Sequence, residues 1–374
     1  MVERSRHAGD LDLKANVSGR PGQEDPPARD LPASVRGGAR GRCDSGNSLL
    51  SCQLSRHITH KDNRMTSYVP RVRRLAGTHC FRALAALIAL LNERPATADE
   101  NGAAHYPTGT NTVEPALMPP VDGSLWLNYL TFYTANRFNS TSGSPAVPGY
   151  LVNAEAEAAR LLHTWTSIDG VGWTSGLVII ANDADLRVPH RTGSGGGLGD
   201  LVIQPVLLTA AFGDLHVLGG FDITLPTGNY SKAKLVNPGL NYTTVAPQAS
   251  LTWLPTPEFE LSLFAVGGFN SKNTQTRYAS GSYLDIDYAI GYRPIPTLHA
   301  LEFSAVGYWF DQLADDELNG KTFLDGHRSK VFAVGPQVRY QFAKGGVALK
   351  WLHETAADNR PQGERLQLQF AVPF

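Results

Sequence analysis

From about residue 125 onward, apolar and polar positions alternate along the chain in segments of roughly ten residues. Leu366, Leu368, Phe370, Val372 and Phe374 alternate with Gln367, Gln369, Ala371 and Pro373. Phe332, Val334, Pro336, Val338, Tyr340 and Phe342 do the same with Ala333, Gly335, Gln337, Arg339 and Gln341. A third segment sets Leu284, Ile286, Tyr288, Ile290 and Tyr292 against Asp285, Asp287, Ala289, Gly291 and Arg293. Successive side chains of a β-strand point to opposite faces, so a period of two predicts strands with one apolar face and one polar or small face. Twelve strands are predicted, at about 125–134, 155–167, 173–182, 199–211, 215–225, 243–254, 258–270, 282–292, 300–311, 329–343, 346–356 and 364–374.

The connections alternate as well. Long ones follow the odd strands (135–154, 183–198, 226–242, 271–281, 312–328, 357–363) and short ones the even strands (168–172, 212–214, 255–257, 293–299, 344–345). An outer-membrane barrel has an even strand number, short periplasmic turns, longer external loops and aromatic girdles. The predicted fold is therefore all-β: an antiparallel up-and-down transmembrane β-barrel of about twelve strands, both ends on the periplasmic side. In lipid every backbone N–H and C=O must find a partner, and a closed sheet leaves no edge. After Leu91 no run of 18 apolar residues is available for a membrane-spanning helix.

The segment before the strands reads differently. Residues 1–64 carry 11 Lys and Arg and 8 Asp and Glu without periodic pattern. Met65 is followed by Arg71, Arg73, Arg74 and Arg82, the apolar run Ala83 to Leu91, and the triplet Ala96-Thr97-Ala98. A basic region, a short apolar region and a small-x-small site in that order read as a secretory signal peptide. Residues 65–98 are thus expected to be a leader, 1–64 an extension from a miscalled start, and 99–374 the barrel with a short N-terminal periplasmic segment. N-terminal sequencing checks this: the exported protein should begin near Asp99, not at Met1.

Overall charge is −1, an average of unlike parts. Residues 99–374 hold 17 Lys and Arg against 25 Asp and Glu, a net charge of −8, which argues against nucleic acid as a partner. Cys43, Cys52 and Cys80 all precede residue 99, so the exported chain has no disulfide and no cysteine metal site. Its 276 residues give 23 per strand and connection, against ~9–11 for a membrane-crossing strand.

No Walker A pattern and no G-x-S-x-G elbow is present, and the chain is not expected to be an enzyme. The run Gly193-Ser194-Gly195-Gly196-Gly197-Leu198-Gly199 lacks the G-x-G-x-x-G pattern and leads into a strand, so it is expected to be a flexible external loop. No pair of histidines has compact ligand spacing, and neither a metal nor a cofactor is expected. His163 and His353 fall on strands and could reach the lumen; a serine or an acid within hydrogen-bond reach of either, inside the wall, would mark an outer-membrane lipid hydrolase. Candidate lumen-lining residues on the polar faces are Glu260, Asp285, Asp287, Arg293, Glu302, Gln337, Arg339, Lys350 and Glu354, with Arg365 a further partner. They could brace a narrow barrel with salt bridges, line a polar ligand path, or do both. The acidic loop from Asp311 to Lys321 reads as solvated.

The order Gly199-Asp200-Leu201 with Pro205, Pro226-Thr227-Gly228, Asn237-Pro238-Gly239-Leu240-Asn241 and Pro247 resembles the SphA-like outer-membrane family named for the meta-pathway of phenol degradation. Asp287-Tyr288, Gly307-Tyr308, Asp315-Asp316, Gly335-Pro336, and Asn359-Arg360 with Gly363 extend the resemblance over about 103–374. It implies a barrel in the outer membrane of a Gram-negative bacterium and passive uptake or binding of a small hydrophobic molecule, aromatic or a long-chain amphiphile. It supplies no catalytic residues. Pro226, Thr227, Gly228, Asn237 and Asn241 read as loop-shaping residues of a cap, because Pro stops a ladder and Gly allows positive φ. Leu366, Leu368, Phe370, Val372 and Phe374 look like the signal read by the barrel assembly machinery; outer-membrane lipid is the other expected partner. The alternatives to passive uptake are an outer-membrane lipid hydrolase and a soluble exported lipocalin-like binding protein.

Overall fold

A computed structural model of the protein describes residues 103–295 and 297–374. The expected extension (1–64) and leader (65–98) lie outside the described residues. Twelve strands form the wall: β1 (Ser124–Phe138), β2 (Leu151–Ile168), β3 (Val171–Val188), β4 (Leu201–Phe212), β5 (Leu215–Leu225), β6 (Thr244–Thr256), β7 (Phe259–Asn270), β8 (Tyr283–Tyr292), β9 (Leu301–Gln312), β10 (Lys330–Phe342), β11 (Gly345–Asp358) and β12 (Pro361–Pro373). Each pairs antiparallel with the next, and β1 pairs with both β2 and β12, so the sheet closes. Among the described residues there is no helix.

The turn between β2 and β3 shows why these residues make a hairpin. Asp169 and Gly170 have φ of 51° and 81°. A two-residue type I′ turn needs positive φ at both positions, which Asp-Gly tolerates best.

Alternation sorts the two faces. Trp126, Trp165, Trp173, Phe212, Trp253, Tyr292, Phe303 and Tyr340 are exposed on the outside near the short turns, while Phe132, Trp309, Phe332 and Trp351 are exposed nearer the long loops. Leu161, Leu177, Ile179, Leu263, Val334 and Leu349 are exposed between them. This is the apolar band with aromatic borders that a bilayer requires. It removes the lipocalin-like reading, which needs a polar exterior.

Two expectations change. The glycine run is not a flexible loop: Arg191–Leu198 is a strand paired with Ala181–Val188, extending the β2–β3 hairpin beyond the rest of the wall. Its glycines are required by close approach. A Cβ on Gly193 would lie 2.8 Å from Leu235 Cβ, and one on Gly195 would lie 2.7 Å from the Val236 carbonyl oxygen. The loop 226–243 packs directly on that bare surface.

The second change concerns the segment ahead of β1. Instead of lying outside the barrel, residues 103–123 run through the lumen. At one end His105 bonds Asp200 and Thr244, beside the long loops; at the other Pro119 accepts the Thr164 hydroxyl at 2.8 Å, near the short turns. The inward faces carry buried acids and cations whose hydrogen bonds the wall alone does not satisfy. The segment's backbone satisfies many of them.

Candidate functional site

The lumen is built around this plug. The Asp287 carboxylate on β8 accepts three hydrogen bonds from it: Tyr106 OH at 2.5 Å, Gly109 N at 2.6 Å and Asn111 N at 2.8 Å. From β11, the Lys350 ammonium donates to the Gly109 and Thr110 carbonyls at 2.6 and 3.0 Å and to the Thr112 hydroxyl at 2.7 Å. Gln337 on β10 accepts from Thr112 at 2.8 Å, and Arg365 on β12 donates to the Thr108 carbonyl. Charge-assisted bonds to backbone groups are stronger than neutral ones, so this side holds the plug firmly.

Towards the short turns a charge cluster closes the lumen. Arg339 reaches Glu114 of the plug at 2.7 Å, Glu302 at 3.1 Å and Glu260 at 3.4 Å. Arg293 reaches Glu302 at 2.5 Å and Glu114 at 3.4 Å. Nearer the long loops, Glu354 accepts from Tyr133 OH at 2.7 Å, from Tyr308 OH and from Gly363 N at 2.7 Å. Asp285 is fully buried beside Asp287. The nine candidate lumen residues thus sit inside the barrel; none borders the open space between the plug and β1–β3, while Arg339 borders a cavity nearer the short turns.

That open space, about 360 Å³, lies on the opposite side, between the plug and β1–β3. Ala154, Ala156, Ala158, Ile180 and Ala184 line its wall, Tyr129 and Tyr133 one flank, and Val236, Pro238 and Leu240 its roof. Arg365 and Gln367 supply a polar corner, where Arg365 Nε and Gln367 Oε1 have no hydrogen-bond partner. A second cavity, of about 300 Å³, lies nearer the short turns.

The roof is shaped by the motif residues. Asp200 accepts Gly228 N at 2.8 Å, Leu240 N at 2.7 Å and His105 Nε2 at 2.9 Å, tying the Gly-Asp-Leu, Pro-Thr-Gly and Asn-Pro-Gly segments to the plug. The Thr227 hydroxyl accepts Leu201 N at 3.0 Å, and Asn237 accepts Ser231 N at 2.8 Å. Asn241 has a φ of 59° and donates to Asn273 at 2.7 Å. Pro226 ends β5 one residue after Leu225.

His163 and His353 do not reach the lumen. His163 bonds Ser124 at 2.9 Å, but it alternates with inward-facing Leu162 and Thr164 and packs edge-on against exposed Trp165 on the outer face. His353 bonds Glu364 at 2.6 Å with about half its side chain exposed. Leu366 and Phe374 of the final strand are exposed to the outside. Sequence reasoning missed the plug contacts Tyr106, Gly109, Asn111, Thr112 and Glu114, and on the wall Tyr129 and Arg160.

A family described for the MetA-pathway of phenol degradation matches residues 135–370. The chain belongs to this family. No curated protein sequence matches it. Among solved structures, the COG4313 outer membrane channel from Pseudomonas putida F1 is similar with a TM-score of 0.62 and 17% identity, covering 69% of this chain and 97% of that one. The β domain of the Bordetella autotransporter BrkA follows at 0.45 and 13%, covering 68% and 100%. For this member of the family, fold and exterior agree on the outer membrane of a Gram-negative bacterium.

Proposed function

We propose that the protein is a passive outer-membrane conduit that takes up small hydrophobic, chiefly aromatic, compounds through the cavity between the plug and β1–β3. The carrying observation is the lining of that cavity: alanine methyls, Ile180, Val236 and two tyrosine rings around about 360 Å³. Ligand pockets of this kind run from ~300 to ~1,000 Å³ and pair a mostly apolar lining with a few polar groups. Arg365 and Gln367 supply the cavity's polar corner. The family description points to the same chemistry.

The test is titration of the folded protein in detergent with phenol and, separately, with glucose, followed by calorimetry. Saturable phenol binding that Ala156→Phe abolishes supports the reading, because the added ring fills the cavity. Equal heats for phenol and glucose, or none for either, contradict it.

A further inference from the structure

The two cavities lie one above the other along the same strand. Inward side chains of β1 run down both: Thr131 and Tyr133 border the outer one, Leu125 and Leu127 the inner one. On β12 Gln367 borders the outer cavity and its neighbour two positions on, Gln369, the inner one. Two residues alone border both cavities: Tyr129 from the wall and Thr110 from the plug. We infer that the cavities are one solute path along β1, interrupted where Tyr129 meets Thr110, and that the Tyr129 side chain is the part that moves to join them. This rests on reading the outer cavity as the place where solute is taken up.

The two sides of the junction differ in freedom. Thr110 is fixed: its carbonyl accepts the Lys350 ammonium at 3.0 Å and its hydroxyl donates to the Pro107 carbonyl at 2.5 Å. Moving it means breaking a buried charge-assisted bond. Tyr129 is buried but stands opposite Ala158 on β2, with Ala156 two residues further toward the outer cavity. Methyl groups there leave the ring an open direction in which to change rotamer, a motion that needs no backbone shift.

Arg160, two residues beyond Ala158 on β2, borders the inner cavity together with Tyr129; its Nε donates to Gln204 at 2.7 Å and its Nη1 to Asn111 of the plug at 3.3 Å. The wall, the ring and the plug therefore meet at one point. Tyr129 is a gating residue; the solute's apolar contacts lie above and below it.

The experiment measures single-channel conductance of the purified full chain in planar lipid bilayers, with folding of each variant checked by heat-modifiable gel migration. Tyr129→Ala joins the cavities and raises conductance several-fold. Thr110→Ala widens the junction from the plug side and raises it less. Leu218→Ala removes volume from the same buried cluster but borders neither cavity, so it leaves conductance unchanged. Unchanged conductance in folded Tyr129→Ala and Thr110→Ala overturns the inference, as does an equal rise in Leu218→Ala. Phenol titration of the same preparations separates the two readings. Phenol binding without a conductance rise leaves the proposed function standing and removes the gate. A conductance rise without phenol binding does the reverse.

Discussion

The two sides of the lumen are built on opposite principles. Against β8, β10 and β11 the plug is gripped by buried charge: Asp287 and Lys350 together receive or donate six hydrogen bonds to it. Against β1–β3 it meets Arg160 at Asn111 and Thr164 at Pro119, and otherwise faces chiefly small side chains and open volume. Buried charge must be partnered almost completely, so the first side has little freedom. Small apolar side chains demand no partner, so the second side can be left unfilled. A barrel of twelve strands thus combines a fixed closure with a place for a solute by dividing these tasks around its circumference.

The largest test of that contrast is on the gripped side. Asp287→Ala leaves the Tyr106 O–H without its acceptor and two backbone N–H groups unpaired in the interior, and strips Lys350 of a nearby opposite charge. Removing one partner of a buried charged network costs about 3–5 kcal/mol. The expected outcome is a drop of that size in unfolding free energy by urea titration, with the N-terminal segment becoming protease-sensitive. Ala184→Gly on the open side should cost under about 1 kcal/mol, the usual cost of Gly in a strand. Equal losses for the two variants would erase the distinction between the sides.

A smaller effect is expected at the roof of the open side. Gly195→Val places a Cβ where the Val236 carbonyl oxygen is 2.7 Å away, so the loop must lift. Heat-modifiable migration should be retained while phenol affinity falls several-fold. Retained affinity would show that the roof does not shape the cavity.

The smallest effect lies in the outer loops. Burial pushes the Asp316 carboxyl from its ordinary 3.8 up to about 7, against hydrogen bonds from Tyr278 and Gln312 that favour the charged form. The folded loop therefore binds this proton more tightly than the unfolded chain does. Its packing is strongest below about pH 4 and weakens as pH rises towards about 7, with no further change above. Amide hydrogen exchange in residues 313–329 should speed up across that window, after correction for the intrinsic pH effect, and Asp316→Asn should remove the dependence.

Much of the wall was legible because lipid imposes a strict alternation on whatever crosses it. The fifth strand, Leu215–Leu225, has the bounds read from its apolar pattern, and the last strand differs mainly at its start. Where the wall rises past the lipid that constraint lapses. Glu155, Glu157, Asp183 and Asp185 are exposed on the outer face of β2 and β3, so the apolar alternation stops before the strands do. The glycine run hid its strand because its pairing is by backbone and its bare surface is needed by a loop distant in sequence.

The site was legible by halves. Acids and cations on polar faces stood out as Asp287, Lys350, Glu260 and Arg339 did, since a charge on an inward face calls for a partner. The partners were invisible, because Gly109, Thr110 and Asn111 contribute chiefly main-chain groups, which every sequence has. Tyr129 gave no signal either: it sits mid-strand in β1 among apolar and aromatic neighbours, with no charge to single it out.

The central claim is that small hydrophobic solutes occupy the space between the plug and β1–β3. The direct measurement is thiol protection at Ala156→Cys, with Cys43, Cys52 and Cys80 replaced by Ser so that this thiol stands alone. Phenol should slow maleimide labelling of the folded protein in a saturable manner while glucose leaves the rate unchanged. A labelling rate indifferent to phenol, or slowed equally by glucose, would contradict the account.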